Sequence, residues 1–224
     1  MIKSLILRVF YSFIEDLIRN ISGPIGLRLR RYYYGNRAYR CGKRLTIGIG
    51  VYIENPQCMK FGDDVWIDNY CSLYAGDPGD LSHRDVKTFR NRKFKQHSGT
   101  LSFGSQIHLA PYSIISALAG VEIGDYCTFS TGVKIYSMSN HYRSHSSPKL
   151  RSFSNPMVRK EPVSIIKYPI KIGENVFLST NVTVFGGNIG DDTFVTSNSV
   201  IFRDIGSNLI WKDDNTMVTR FENH

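Results

Sequence analysis

A six-residue hydrophobic period constrains this chain more than any other feature of its sequence. From Phe61 onward, a large apolar residue recurs every six positions, with a shift of register between segments. These positions are Phe61, Ile67, Leu73, Phe103, Leu109, Ile115, Ile123, Phe129, Ile135, Ile172, Leu178, Val184, Ile189, Val195 and Ile201. An α-helix would repeat its apolar residues about every 3.6 positions and a half-buried strand every second position, so neither explains this spacing.

A second position, four residues after the first, is small or aliphatic in most segments. Its members are Val65, Cys71, Asp77, Ile107, Ser113, Ala119, Cys127, Val133, Ser139, Val176, Val182, Asn188, Thr193, Ser199 and Ile205. A glycine often follows the first position, as at Gly62 and Gly124, and we expect it to supply the backbone conformation of a sharp corner. Short strands joined by tight corners fit this pattern, and three such strands make one coil of a parallel β-helix with a continuous core.

Composition limits the classes of protein that this chain can form. Its 224 residues suit one domain, and a hydrophobic content of 42% can bury a substantial core. No run of about 18 apolar residues occurs, so the sequence predicts no transmembrane helix. The four cysteines form no CxxC pair, which argues against a disulfide scaffold and a zinc ribbon. Cys71 and Cys127 occupy inward positions of the repeat, where we expect small apolar filling.

The N-terminal segment, residues 1–44, differs in character from the repeat. Residues 1–20 carry apolar residues at three- and four-residue steps, which predicts an amphipathic helix. Charges interrupt that run and no small-residue cleavage site follows, so we expect no signal peptide and a cytoplasmic location. Arginines and tyrosines are frequent through residue 44. Two interpretations stay open: the helix packs on the main domain beside solvated arginines, or the segment contacts the inner face of the cytoplasmic membrane.

The net charge of +9 favours anionic partners of some kind. Nucleic acid is not expected, because no recognition fold accompanies the charge. A phosphorylated small molecule or a lipid headgroup surface fits the charge equally well.

Two stretches near the C-terminus carry the motifs of a known family. Residues 170–179 read IKIGENVFLS and residues 189–205 read IGDDTFVTSNSVIFRDI. They resemble the hexapeptide-repeat acyltransferases, and within that family the pattern looks most like the O-acetyltransferases of bacterial surface polysaccharides. The resemblance covers about residues 45 to 220. It implies an all-β, left-handed parallel β-helix, acetyl-CoA as the acyl donor, and a homotrimer.

This resemblance, with the breaks in the period, suggests how the chain is divided. We expect a helical, basic segment at 1–44, a β-helix acyltransferase domain at 45–210 and a C-terminal tail at 211–224. Two loop excursions leave the β-helix at 76–99 and 141–168. The first contains the basic stretch 83–97, which either contacts a phosphate or lipid headgroup or is simply solvated.

The second excursion begins directly after Asn140. The resemblance implies that a histidine ends the strand here, before an arm that folds over the active site, and His141 matches it. An acceptor hydroxyl has a pKa far above neutrality, and a neutral imidazole within hydrogen-bond reach can take its proton as it attacks the thioester. Asn140 is a candidate to orient His141 or the acceptor. The competing base is His145, and the alternative for His141 is a loop histidine bonded to a backbone carbonyl.

Cofactor contacts follow from position in the family motif. By that position Ser179 and Ser197 would line the pantetheine groove, and Arg203 would meet a phosphate of coenzyme A. The alternative is that all three are ordinary exposed residues of the coil. The family's closing Gly-Asn falls on Asp213-Asp214 in this chain. Carboxylates repel the phosphates of the cofactor, so this departure predicts an altered groove.

Taken together, the motifs predict an acetyl-CoA-dependent O-acetyltransferase that acts on a sugar hydroxyl of a lipid-carried surface-polysaccharide precursor. One alternative is an acyltransferase for a soluble acceptor, such as a nucleotide-sugar amine, an amino acid or an antibiotic. Another is a β-helix that has lost catalysis and serves as a scaffold. A zinc site built from His108, His141 and His145 is disfavoured, because these spacings do not fall on stacked positions, and no metal is expected.

Overall fold

The structure of this chain is a computed structural model that describes residues 2–79, 81, 84–94, 96–140, 164–214 and 216–219, without the side chains of 2–10 and 85. Its first elements are the helices α1 (Ile2–Asn20) and α2 (Gly23–Arg37). The helix predicted from the apolar spacing is thus confirmed. Pro24 lies in the first turn of α2, where its missing N–H removes no helical hydrogen bond. Among the described residues, no helix has the length and apolar character needed to cross a bilayer.

Arg30 fixes both helices to the first coil. Its side chain is almost fully buried, and Nε donates to the Ile47 carbonyl at 2.8 Å. Nη1 donates to the carbonyl of Ile18 in α1 at 3.0 Å and to that of Ile21, in the connection to α2, at 2.7 Å. Burial lowers the pKa of the guanidinium, and the carbonyl oxygens offset the cost of removing its charge from water. This arginine of the basic segment is therefore structural and not solvated.

The strands follow one another in chain order. The strands before residue 100 are β1 (Arg40–Cys41), β2 (Thr46–Ile47), β3 (Tyr52–Glu54), β4 (Met59–Phe61), β5 (Val65–Ile67), β6 (Ser72–Tyr74) and β7 (Asp85–Thr88). The next are β8 (Leu101–Phe103), β9 (Ile107–Leu109), β10 (Ile114–Ser116), β11 (Val121–Ile123), β12 (Thr128–Phe129), β13 (Lys134–Tyr136) and β14 (Met138–Asn140). The last are β15 (Ser164–Lys167), β16 (Ile170–Ile172), β17 (Phe177–Leu178), β18 (Thr183–Val184), β19 (Phe194–Val195), β20 (Val200–Ile201), β21 (Leu209–Trp211) and β22 (Met217–Thr219).

In the described part of the chain, these strands stack into three long sheets, one on each side of a coil. The first has the order β1-β4-β8-β11-β16, the second β2-β5-β9-β12-β17-β19-β21, and the third β3-β6-β10-β13-β18-β20. Neighbours within each of these sheets are parallel, and each strand pairs with its counterpart one coil later, as Ile115 does with Ile135. Successive strands thus visit the three sheets in turn, which is the coil architecture that the six-residue period predicts.

The core lies inside these coils and follows the repeat closely. All fifteen residues predicted at the first inward position are buried. At the second position thirteen of fifteen are buried, and the exceptions are Asp77 and Ser139, where the two excursions leave the coils. The period also extends one coil earlier than the sequence suggested, because Ile47 and Ile53 are buried as well.

Each coil turns one corner at a glycine. The stacked glycines are Gly42, Gly62, Gly104, Gly124, Gly173, Gly190 and Gly206. All of them have negative φ, and the left-handed conformation lies two residues later, at Arg44, Asp64, Gln106, Tyr126, Asn175, Asp192 and Asn208. The expectation that glycine supplies an unusual backbone conformation here is therefore wrong. The reason is steric, because a Cβ on Gly124 would lie 2.7 Å from the backbone of Gly173 in the next coil.

The two excursions meet in a small sheet outside the coils. β15 pairs antiparallel with β14 and parallel with β7. β14 carries the chain away from the fourth coil, β15 returns it to the fifth, and β7 belongs to the loop 76–99. The basic loop is therefore docked beside the point where the chain leaves the fourth coil.

Candidate active site

A cavity of about 500 Å³ opens where β14 departs from the coils. Its lining residues are Ser116, Tyr136, Met138, Ser139, Asn140 and Phe185. The rings of Tyr136 and Phe185 stack at 5.6 Å between centroids, with an angle of 17° between their planes. The cavity thus combines an aromatic floor from two successive coils with polar groups from the departing strand.

Strand register explains why these residues meet. Ser116 pairs with Tyr136 in the next coil, and Ile135 pairs with Val184 in the coil after that, so Phe185 follows on the same edge. Inward and outward positions alternate along a strand. Since Ile135 and Val184 are buried in the core, the residues that follow them point outward and stack.

Ser137 holds the chain at its point of departure. Its side chain is 1% exposed, and its hydroxyl donates to the Ser116 carbonyl at 3.0 Å and accepts from the Ala119 N–H at 2.9 Å. Its backbone N–H also donates to the Ser116 carbonyl, at 3.0 Å. These bonds fix the last residue before β14, which keeps the rim of the cavity in place.

Asn140, the predicted orienting residue, is the last residue of β14 and lines the cavity. It is exposed, and it opposes Ile165 of β15 in the antiparallel register. His141 and His145 lie outside the described residues. The structure therefore brings Asn140 to the cavity, and the catalytic role of His141 remains a prediction.

The predicted cofactor residues lie on two edges of the third sheet. Ser179 and Ser197 lie in the turns that follow β17 and β19, at one corner of adjacent coils. The Ser179 N–H donates to the Val195 carbonyl at 3.0 Å, which locks the first turn onto the coil below. Arg203 follows β20 at the opposite edge, and its guanidinium lies 5.0 Å from the centre of the Trp211 ring. Arg203 thus lies on the same edge as Tyr136 and Phe185, and the two serines do not.

The acidic pair Asp213-Asp214 lies in a hairpin turn. β21 and β22 pair antiparallel, and the turn between them contains both residues. The Asp214 carboxylate accepts from the N–H and the hydroxyl of Thr216, at 2.9 and 2.6 Å. These hydrogen bonds lower the pKa of Asp214 below its ordinary value. Asp214 is therefore a turn-forming residue, a role that sequence reasoning missed although acidic residues favour turns.

The basic loop is attached to the coils by specific contacts. Asn91 Nδ2 donates to the Pro169 carbonyl and to Asn188 Oδ1, both at 2.6 Å. Asn188 is 6% exposed, and its Oδ1 also accepts from the Lys171 N–H at 3.0 Å. Asp204 accepts from the Asn188 N–H at 2.7 Å. Asn188 departs from the small or aliphatic pattern of the repeat, and its partner Asn91 supplies the reason.

Sequence reasoning did not single out Tyr136 and Phe185. The signal was present, because each directly follows a predicted inward residue and is therefore outward on the same edge. The docking of the basic loop through Asn91 had no comparable signal.

The buried cysteines behave as core residues. Burial raises the pKa of the Cys71 thiol to about 11 and that of the Cys127 thiol to about 12. Both thiols stay protonated near neutral pH, so they are poor nucleophiles, in keeping with the filling role predicted for them.

Of the three histidines considered as zinc ligands, His108 is described, and its Nε2 lies 2.9 Å from Asp68 Oδ2. Within the described residues, no three His, Cys, Asp or Glu side chains are grouped to hold a metal ion.

No protein-family model matches the chain. The chain is 28% identical over 120 residues to the dTDP-4-amino-4,6-dideoxy-D-glucose acyltransferase of Escherichia coli, a match that covers 54% of this chain and 48% of that protein. The chain thus spans about half the length of this curated relative.

Solved structures match over most of the chain. A variant of AntD, an N-acyltransferase from Bacillus cereus in complex with dTDP and coenzyme A, has a TM-score of 0.65 at 17% identity, covering 89% of this chain and 90% of that one. A maltose O-acetyltransferase from Clostridium difficile has a TM-score of 0.57 at 16% identity, covering 96% and 87%. A hexapeptide-repeat acetyltransferase from Vibrio cholerae, in complex with acetyl coenzyme A, has a TM-score of 0.52 at 14% identity, covering 93% and 82%. The chain therefore has the fold of the hexapeptide-repeat acyltransferases, as its C-terminal motifs predict.

Proposed function

We propose that this protein transfers an acyl group from an acyl-coenzyme A to a sugar. The observation that carries the proposal is the cavity at the departure of β14, lined by Tyr136, Phe185 and Asn140. An aromatic floor suits the apolar face of a sugar ring, and the amide of Asn140 can hydrogen-bond a polar substituent. We also infer that the coils wind with a left hand and that the β-helix forms the catalytic domain at 45–210.

His141 is the proposed general base, because it follows Asn140 directly in the chain. The acceptor must lose a proton when its hydroxyl or amine attacks the thioester carbonyl. A neutral imidazole takes that proton, the carbonyl oxygen becomes an oxyanion, and the thiolate of coenzyme A leaves as the tetrahedral species collapses. Asn140 would orient either the imidazole or the acceptor. No covalent enzyme intermediate is needed.

The acyl donor would lie against the outside of the coils. Arg203 follows β20 on the cavity edge, its guanidinium lies against the Trp211 ring, and we propose that it contacts a phosphate of coenzyme A. Ser179 and Ser197 are proposed to line the path of the pantetheine arm at the opposite corner. We propose a homotrimer, so that a neighbouring copy completes the groove. Asp213 and Asp214 are both exposed in the hairpin turn, so both carboxylates are expected to weaken binding of the cofactor.

The acceptor has two candidates. The names of AntD and of the Escherichia coli relative support the amine of a nucleotide-linked amino sugar. The C-terminal motifs and the likeness to a maltose O-acetyltransferase support a sugar hydroxyl, which in this chain would belong to a lipid-linked precursor of a surface polysaccharide. Both candidates use the same cavity and the same base, so the choice of acceptor is a separate question from the activity.

The test is release of coenzyme A thiol from acetyl-CoA by the purified protein. The acceptor panel contains a dTDP-linked amino sugar, neutral sugars and a lipid-linked glycan. We expect release with at least one sugar acceptor, and a fall of about 10²–10⁴-fold in His141→Ala, the usual contribution of a general base. The matched control is His97→Ala, because His97 is a described histidine of the basic loop that lines a different cavity.

Equal loss in His97→Ala and His141→Ala would contradict the assignment of the base. Full activity in His141→Ala would move the base to another residue, with His145 the first to test. If the protein neither turns over nor binds coenzyme A in calorimetry, the proposal is wrong and the scaffold alternative takes its place.

A further inference from the structure

The N-terminal helices present a surface that the proposed reaction does not use. Residues 1–44 contain ten basic and two acidic residues, so this segment carries a net charge of +8 in a chain whose net charge is +9. Its exposed residues include several arginines and several large apolar side chains. Each kind forms a distinct feature on α2.

The first feature is a cleft of about 550 Å³ between α2 and the start of the first coil. Its lining includes Arg28, Arg31 and Arg40, together with Tyr32 and Tyr39, and contains no acidic residue. None of the three arginines forms an ion pair or a side-chain hydrogen bond with another described residue. A guanidinium is a planar donor with a geometry that matches phosphate oxygens. The cleft therefore suits a phosphate group.

The second feature is an apolar stripe on the outer face of α2. Ile25, Leu29 and Tyr32 are separated by four and three residues, which places them on one face of the helix. Ile25 is 69% exposed and Tyr32 is 74% exposed. The opposite face carries the buried residues Gly26, Arg30 and Tyr34, which pack toward α1 and the first coil.

α1 contributes a similar pair of side chains. Phe13 and Leu17 lie four residues apart and are 68% and 56% exposed. The face of α1 that meets α2 is a different one, because Glu15 accepts from the Tyr33 hydroxyl at 2.9 Å. Large apolar residues that remain exposed next to a charged patch mark a surface that meets a partner.

We propose that this surface docks the protein on an anionic lipid bilayer, with a headgroup phosphate in the arginine cleft and the stripe of α2 in the interface. Exposed arginines and exposed apolar side chains lie side by side on α2, and both kinds of side chain favour the interface of an anionic bilayer. The net charge of the segment supplies the attraction to anionic lipid. A protein partner would need complementary acidic and apolar patches, whereas an anionic bilayer offers both features everywhere.

The experiment is flotation of the full-length protein with vesicles of phosphatidylcholine and phosphatidylglycerol, and with vesicles of phosphatidylcholine alone. The protein is expected to float with the anionic vesicles only. Each arginine near the surface contributes roughly a fivefold factor in binding, so Arg28→Gln/Arg31→Gln is expected to weaken binding roughly 25-fold. Ile25→Gln/Leu29→Gln is expected to weaken vesicle binding at least about tenfold, because burial of the polar side chains in the bilayer interface no longer lowers the free energy of binding.

The matched control is Arg90→Gln/Arg92→Gln, which removes two exposed arginines from the basic loop. This variant is expected to bind the anionic vesicles as the wild type does. Arg28→Lys/Arg31→Lys keeps the charge and is expected to retain most of the binding. Circular dichroism of each variant checks that the helices are still formed.

Three outcomes would overturn the proposal. Equal loss in the control means that total charge, or the basic loop, attracts lipid as much as this surface does. In the second outcome, the wild type does not float, but it binds inorganic pyrophosphate in calorimetry and Arg28→Gln/Arg31→Gln abolishes that binding. The cleft then binds a soluble phosphate ligand. In the third outcome, the wild type does not float, and light scattering shows that Ile25→Gln/Leu29→Gln forms a smaller assembly than the wild type. A second copy of the chain then covers the stripe.

Discussion

Replacing Gly124 by alanine tests the steric reason for the glycine corner. The added Cβ would lie 2.7 Å from the carbonyl carbon and oxygen of Gly173 in the next coil. Ordinary van der Waals contact begins at 3.4 Å, and these neighbours are backbone atoms that cannot rotate away. The coils must therefore separate locally. The Gly124 N–H donates to the Ile172 carbonyl at 2.9 Å, and that hydrogen bond is stretched by the same movement.

The expected cost follows from these contacts. Overpacking of a close-packed interior costs about 1–3 kcal/mol, and alanine returns about 0.4–1 kcal/mol by restricting the unfolded chain. We expect a net loss of about 1.3 kcal/mol for Gly124→Ala, which for a domain of this size lowers Tm by about 3–5 °C. Thermal unfolding followed by circular dichroism measures this shift.

Gly206→Ala is the matched control, because Gly206 occupies the last corner of the stack. Its Cβ would meet the side chain of Leu209 at 3.4 Å and no backbone of a further described coil. We expect its Tm to equal or slightly exceed that of the wild type. If Gly124→Ala unfolds at the wild-type temperature, or if Gly206→Ala loses as much stability, the steric explanation of the corner is wrong.

Three further predictions follow. Asn188→Ala should destabilise by about 1–3 kcal/mol, because it leaves buried partners unpaired. The control Thr180→Ala, at an exposed turn position with negative φ, should change stability by less than about 0.5 kcal/mol in denaturant titrations. Cys71 and Cys127 should resist thiol labelling in the native state at mildly alkaline pH. Because burial raises their pKa values above the ordinary 9.0, their contribution to folding stability is complete below pH 9.0 and is lost as the pH rises toward about 12, which unfolding curves at alkaline pH would show. Tyr136→Ala should raise the KM for the sugar acceptor by up to about tenfold, while Tyr136→Phe, which keeps the ring stack, should not.

The sequence predicted the coil architecture because the information is local. Ile123, Phe129 and Ile135 are six residues apart, and each is buried because every side of every coil repeats the same inward geometry. The same periodicity located the departure of β14 after the fourth coil, which is where Asn140 lines the cavity. The sequence predicted that glycines occupy the corners of the coils, but not the steric reason for them. That reason depends on the backbone of the next coil, which lies many residues away in the chain.

What only the tertiary structure decided involves residues that are far apart in the chain. Asn91 meets Asn188 across 97 positions, and no period or motif connects a loop residue with a coil residue at that distance. Arg30 resembles its neighbouring arginines in sequence, and it is structural only because three carbonyls from α1, its connection to α2 and the first coil converge on it. A repeat records which residues face inward. Which outward residues meet, and so which of them can form a site, depends on how loops and coils pack in space.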